Sequence, residues 1–334
     1  MAKWIIWFPL KVVAWSLGFV GFAALALTAM IAAPLQRPPE LHSLTDSRKI
    51  IDFSALPPVE RFQARDGILL GYRHYPARGP ATGRAAIVIH GSSGSSGTSI
   101  HPLSAALAAR GVETWAVDIR GHGASGSRGD IGYIGQLEDD LADFVVVVRK
   151  SAPTVPLTLL GHSAGGGFAL RIASSPIQNL FSRTVLLAPY LGYDAPTNQP
   201  HSGGWASADI PRVLGLLMLR KLGISCCEAL PTLAFAVPPG SENLLVPAYS
   251  FRLMRNFATN GYRTDLLAAT RPLTLISGAD DELMLADKYA DAVHAVAPSV
   301  EVKLIAGVSH IGIVSDTKAV SAIAEDVATA RTGS

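Results

Sequence analysis

The sequence predicts an α/β fold: a mostly parallel β-sheet flanked by helices, broken by one long insertion and preceded by an apolar helix. Three observations carry this. From residue 85 onward, short β-branched runs alternate with helical segments, the order that gives a parallel sheet covered on both faces. About 80 residues, 190–271, separate two consecutive strands, far more than an ordinary loop. Near the start, residues 12–33 run for 22 residues without a charge.

That first run is long enough for a transmembrane helix. Trp4 and Trp7 just before it suit a headgroup interface. The competing reading is a signal peptide, with Lys3 and Lys11 as the basic region and Ala29, Ala32 and Ala33 as the small residues. The apolar core exceeds the usual length of such a signal, so residues 1–33 read as a membrane anchor. Lys3, Lys11 and the free amine precede the span, while Arg37, Arg48 and Lys49 follow it. The expected topology is single-pass with the main domain outside the cytoplasm. Residues 34–58, with prolines at both ends, read as a linker.

The folded domain is expected at 59–332. VERFQA and ILLGYRHY form a hairpin turning at Asp66-Gly67. AAIVIH (85–90) is a fully apolar strand, as a buried parallel strand requires. PLSAALAARG (102–111) is a helix closed by Gly111, and VETWAVD (112–118) is the next strand. QLEDDLADFVVVVRK (136–150) carries acids in its first half and Arg149-Lys150 at its end, matching a helix dipole. PLTLLGH (156–162), RTVLLAP (183–189), PLTLISG (272–278) and VEVKLIAG (300–307) are strands, and a last helix lies near 314–330. Between them, VLGLLMLRKLG (213–223) and YSFRLMRNF (249–257) make the insertion read as a small helical unit.

Composition excludes some functions. A net charge of +2 with no basic run gives no sign of nucleic-acid binding. The two cysteines, Cys226 and Cys227, are adjacent, so they frame neither a disulfide scaffold nor a zinc site.

Gly161-His162-Ser163-Ala164-Gly165 is a G-x-S-x-G sequence that follows an apolar strand and opens a helix. This is the setting in which a serine sits exposed in a sharp turn, with a helix N-terminus behind it. A serine hydroxyl needs a base. His310 lies just after the strand at 300–307 and suits that part, whereas His294 and His101 lie within or at the start of helices. His162 is expected to point away from Ser163. An acid is available at Asp280 or Asp281, after the preceding strand, giving the chain order Ser, Asp, His. All three positions follow the carboxyl ends of parallel strands, where sites in open α/β sheets gather. An oxyanion hole needs two backbone donors. The N–H of Ala164 and, from the Gly/Ser-rich loop 90–97, the N–H of Ser92 are the expected pair.

Together HGSSG (90–94), DIRGHGASG (118–126), GHSAG (161–165), GADD (278–281) and SH (309–310) resemble the α/β-hydrolase superfamily. Within it, 118–125 is similar to the monoglyceride lipase / lysophospholipase branch, grouped with the serine aminopeptidases. The resemblance covers about 59–330 and is weak across the insertion. It implies an α/β-hydrolase fold and the insertion as a lid. It places the acid three residues after Gly278, hence Asp281 rather than Asp280. It implies no cofactor and no metal. It also implies a serine hydrolase acting on a small-molecule acyl ester, lipid-like if the apolar lid faces acyl chains. The same residues serve an amidase or aminopeptidase equally well. An inactive membrane-tethered binding protein is the reading from a different class.

Overall fold

The computed structural model describes the backbone of residues 2–330 and side chains from residue 11 to 330. The expected interfacial role of Trp4 and Trp7 and the domain end at 332 fall outside those residues. The chain opens with helix α1 (Ala2–Ala32), in which Lys11–Ala32 has a mean hydropathy of 2.0. Trp15, Phe19, Phe22 and Leu25 on it are exposed. The segment read as a linker holds a short helix, α2 (His42–Lys49). Its pattern is polar apart from Leu44, which is buried, so tertiary docking rather than local periodicity holds it in place.

The domain then runs β1 (Glu60–Gln63), β2 (Leu69–Tyr75), β3 (Arg84–Ile89), α3 (His101–Ala109), β4 (Val112–Val117), α4 (Gln136–Ser151), β5 (Leu157–His162), α5 (Ala164–Ala173) and β6 (Arg183–Leu187). The insertion contributes β7 (Ala206–Ala208), α6 (Ile210–Lys221), β8 (Pro231–Phe235), β9 (Ala248–Ser250), α7 (Phe251–Asn256) and α8 (Tyr262–Ala268). After it come β10 (Leu273–Gly278), α9 (Tyr289–His294), β11 (Glu301–Ile305), α10 (Gly312–Ser315) and α11 (Thr317–Thr329). The expected last helix is two pieces, because Asp316 caps α11 by accepting from the N–H groups of Lys318 and Ala319.

Eight strands form the main sheet in the order β1-β2-β4-β3-β5-β6-β10-β11. β1–β2 and β2–β4 pair antiparallel and all other pairs are parallel. The sequence reads β3 and β5 as buried on both faces, and both are wholly buried from Ala85 and Leu157 onward. In β3, Ala85, Ile87 and Ile89 pack into one core, and Ala86 and Val88 into the other. The first core lies under α4, α5 and α9, the second under α3, α10 and α11. Strand order reverses at β3: β4 lies on one side of it and β5 on the other. That is where α/β sheets open a crevice at their carboxyl edge.

The insertion is not simply helical. β7, β8 and β9 make a small antiparallel sheet, and α7 is far shorter than the 249–257 reading. The three strands are three to five residues long, too short for their alternation to stand out against the Leu/Met-rich helix beside them. Tyr249, Leu253, Phe257 and Tyr262 are buried in the main domain's core. This part of the insertion is therefore structural, and its aromatic and leucine bias reports burial.

Candidate active site

The turn between β5 and α5 fixes Ser163 at φ 55°, ψ −119°, a strained conformation for a residue with a Cβ. Glycine makes the turn possible. A Cβ at Gly161 would strike the carbonyl of Gly165, and a Cβ at Gly165 would strike the carbonyl of His90. The N–H of Ser163 donates to Leu187 O at 2.9 Å, locking the turn to β6. Ser163 is buried and lines a small cavity of about 10 Å³.

His310 lines the same cavity. Its Nδ1–H donates to Asp281 Oδ2 at 2.8 Å, which leaves Nε2 as the nitrogen with a free lone pair. Ser163 Oγ makes no hydrogen bond among the described residues, so hydroxyl and imidazole share the cavity without being bonded to one another. The other oxygen of Asp281 accepts from the N–H groups of Leu283 and Met284, both at 2.8 Å. Burial pushes the Asp281 carboxyl up, but the neighbouring imidazole and the two backbone donors outweigh it and hold it below its usual range. Asp280 is exposed and makes no contact with His310. Of the two adjacent acids, it is Asp281 that meets the histidine.

Of the two expected backbone donors, Ser92 lines the cavity and Ala164 directly follows Ser163. Ala164 is the first residue of α5, and its N–H is one of the helix's unpaired amides. Ser92 lines the cavity, and Gly91 beside it packs so closely that a Cβ there would lie 3.1 Å from Ser163 Cβ. The next residue is tied down firmly. Ser93 N donates to Tyr249 OH at 2.7 Å, Ser93 Oγ donates to Val246 O at 2.7 Å, and Tyr249 OH lies 2.6 Å from His122 Nε2. The insertion thus holds the 90–97 loop in place.

Several residues at the site were not legible in the sequence. His162 does not point away: its ring centroid lies 4.9 Å from that of His310, and its Nε2–H donates to His310 O at 2.9 Å. Burial, with His310 beside it, lowers its pKa to about 3, so it is a neutral donor. Glu282 Oε2 accepts from His310 N at 2.9 Å. The backbone of His310 is therefore held on both sides. Trp205, from the insertion, donates its indole N–H to Ser92 Oγ at 2.9 Å. Leu44 and Arg48, from α2, close the cavity opposite Ser163 and His310. Only the adjacency of His162 to Ser163 and of Glu282 to Asp281 offered any signal; Leu44, Arg48 and Trp205 offered none.

A family model described as serine aminopeptidase, S33, matches residues 81–317. The chain is 32% identical over 109 residues to a monoglyceride lipase homolog of monkeypox virus, a match covering 32% of this chain and 39% of the relative. It is 35% identical over 68 residues to a monoacylglycerol lipase of Mycolicibacterium smegmatis, covering 20% and 24%. The matched stretches thus span well under half of either relative. A soluble variant of the monoglyceride lipase from Saccharomyces cerevisiae, in complex with a substrate analog, superposes with a TM-score of 0.60 over 84% of this chain and 96% of that one. At 19% identity that likeness establishes the α/β-hydrolase fold.

Proposed function

The chain belongs to the serine aminopeptidase S33 family of α/β-hydrolases, in its monoglyceride lipase-like branch, and from that premise we propose that it is a serine hydrolase cleaving carboxylic esters by an acyl-enzyme mechanism. The observation that carries the reading is the buried Asp281–His310 pair, 2.8 Å apart, in one cavity with a serine held at φ 55° at the head of a helix.

The steps follow from the geometry. Ser163 Oγ attacks the acyl carbonyl carbon as His310 Nε2 takes its proton. Asp281 keeps the imidazole in the reactive tautomer and stabilises its cationic form. The amides of Ala164 and Ser92 receive the oxyanion, each lowering the barrier by on the order of 3 kcal/mol. The imidazolium passes the proton to the departing alcohol, leaving an acyl-serine. Water then attacks the acyl carbon, giving a proton to His310, and Ser163 leaves as its hydroxyl. The net change is ester and water to acid and alcohol.

Two features support an acyl ester of lipid type acting at a membrane. One named relative is a monoacylglycerol lipase and the other a monoglyceride lipase homolog. The end of α1 is packed against α6: Gly215 meets Leu27, Met30 and Ile31, and the Arg212 guanidinium donates to Ile31 O at 2.8 Å and to Ala33 O. Cleavage after residue 33 would discard this interface, so we read residues 1–33 as a retained anchor, 34–58 as the tether and the remainder as the hydrolase domain. On α6 an exposed apolar row, Ile210, Leu214, Met218 and Leu222, recurs every fourth residue beside it.

The test is labelling of the full chain by a fluorophosphonate, with identification of the modified residue, alongside turnover of acyl esters of rising chain length. We expect modification at Ser163 and a fall in kcat of about five orders of magnitude, give or take one, in Ser163→Ala. Undiminished turnover in that variant overturns the proposal. Because the matching family is described as an aminopeptidase one, an aminoacyl amide belongs in the same panel. Its preferential cleavage would move the assignment from esters to amides with the same residues.

A further inference from the structure

The cavity has a cation that the ester mechanism does not use. Arg48, from α2, forms part of the wall facing Ser163 and His310. Its Nε and Nη1 are sealed from solvent with no hydrogen-bond partner among the described residues. No carboxylate pairs with it, although Lys49 on the same helix has Asp46 at 2.9 Å.

Most other buried guanidinium groups have partners, although Arg73 Nε has none while its Nη1 donates to Pro57 O. Arg120 is paired with Asp140 at 2.7 Å and Asp66 at 2.9 Å, Arg171 with Glu138 at 2.6 Å, and Arg183 with Asp326 at 2.6 Å. Arg212 donates to three main-chain carbonyls. Burying an unpaired charge is costly, and burial alone pushes the Arg48 pKa down to about 10. The guanidinium carbon lies 5.1 Å from the centre of the Trp205 ring. Stacking uses the face of the guanidinium and leaves its in-plane N–H donors unspent, in the fork geometry that suits a carboxylate or a phosphate.

We propose that Arg48 is the anion-binding residue of the active site, and that the preferred substrate is an acyl ester carrying a phosphate or carboxylate close to the scissile bond. The inference rests on the serine hydrolase reading and narrows its substrate class. α2 then has a reason to be docked where it is: the tether from the membrane anchor supplies a specificity group that the sheet does not. The indole of Trp205 orients the guanidinium on one side and holds Ser92 on the other, so anion recognition and the expected oxyanion loop share one support.

The experiment uses the full chain in detergent with two matched substrates, 1-butyrylglycerol and 1-butyrylglycerol 3-phosphate. The wild type is expected to favour the phosphate ester by about tenfold or more in kcat/KM. Arg48→Met should bring that ratio to about one, and Arg48→Lys should retain an intermediate preference. A second measurement needs no variant: inorganic phosphate and acetate are each added to 1-butyrylglycerol turnover. Competition by phosphate alone assigns a phosphate group, and competition by both assigns any compact anion. Absence of competition by either, or a preference ratio unaltered in Arg48→Met, overturns the proposal. If 1-butyrylglycerol is not turned over and Ser163 is not labelled, it is the hydrolase reading that fails. If it is turned over with no preference for the phosphate ester, only the role of Arg48 falls.

Discussion

The two walls of the cavity are built in different ways. The back wall, Ser92, Ser163 and His310 with Asp281 behind it, sits on turns at the carboxyl ends of parallel strands. Hydrogen bonds to Leu187 O, from Leu283 and Met284 N–H, and to Glu282 hold Ser163, Asp281 and His310 in turn. The front wall, Leu44, Arg48 and Trp205, comes from a polar eight-residue helix and from an insertion, neither of which belongs to the main sheet. On the proposed reading, chemistry rests on the cooperative core, while selection and access rest on pieces docked against it. The cavity has a volume of only about 10 Å³, the room of roughly one water and far below a ligand site, so on that reading any acyl chain requires the front wall to yield.

The sharpest test of the back wall is Asp281→Asn. Asparagine keeps an oxygen for the N–H groups of Leu283 and Met284 but presents an NH2 to His310. That favours the imidazole tautomer protonated at Nε2 and removes the lone pair the base needs. Ester turnover should fall by about four orders of magnitude with little change in the unfolding midpoint, measured by kcat and by urea titration. A loss of tenfold or less would mean that Asp281 is not positioning the base.

This division also explains what was legible in the sequence. The strands of the back wall are local patterns: continuous apolar runs ending in glycine, each followed by a polar residue at the sheet edge. G-x-S-x-G reads as a strained turn because only glycine tolerates the contacts around Gly161 and Gly165. His310 and an acid at 280 or 281 follow from chain order, since each comes one turn after a strand, and the family resemblance singles out Asp281. The front wall has no such pattern. α2 shows one buried leucine in eight residues, and its placement is decided by contacts with Trp205 some 157 positions away from Arg48. The short strands β7, β8 and β9 were hidden by the Leu/Met-rich helix next to them, and His162 was misjudged because its partner is a main-chain carbonyl 148 residues on.

The back wall should also be the acid-sensitive one. His162 is buried and neutral, with a native pKa of about 3 against roughly 6.5 in the unfolded chain. The unfolded state therefore binds the extra proton first, and stability falls as pH drops from about 6.5 toward 3. Between pH 7 and pH 5 the loss from this group is on the order of 2 kcal/mol. The Asp281 carboxyl, held below its usual range, acts in the same direction further down: its contribution is present above about pH 4 and is lost as pH falls through its lowered native value. In His162→Gln, urea midpoints at pH 7 and pH 5 should lie closer together than in the wild type. An unchanged gap would show that another buried group, such as His90 or His122, governs acid lability.

The smallest expected effect bears on whether the walls are separable. Arg212 ties the carboxyl end of α1 to α6 through Ile31 O and Ala33 O, and to β8 through Pro231 O. A cation at a helix C-terminus is favourable, and removing it strands carbonyls that have no other donor. Arg212→Ala should weaken this junction by about 1–2 kcal/mol. Tryptic cleavage after the exposed Lys49 should then speed up by about tenfold, since local opening is what a protease samples. The urea midpoint of the main sheet should stay where it is, because no contact of Arg212 reaches β3, β5 or β10. If that midpoint drops in step with the faster cleavage, anchor, tether and sheet unfold as one unit. The front wall could not then move without loosening Ser163, His310 and Asp281.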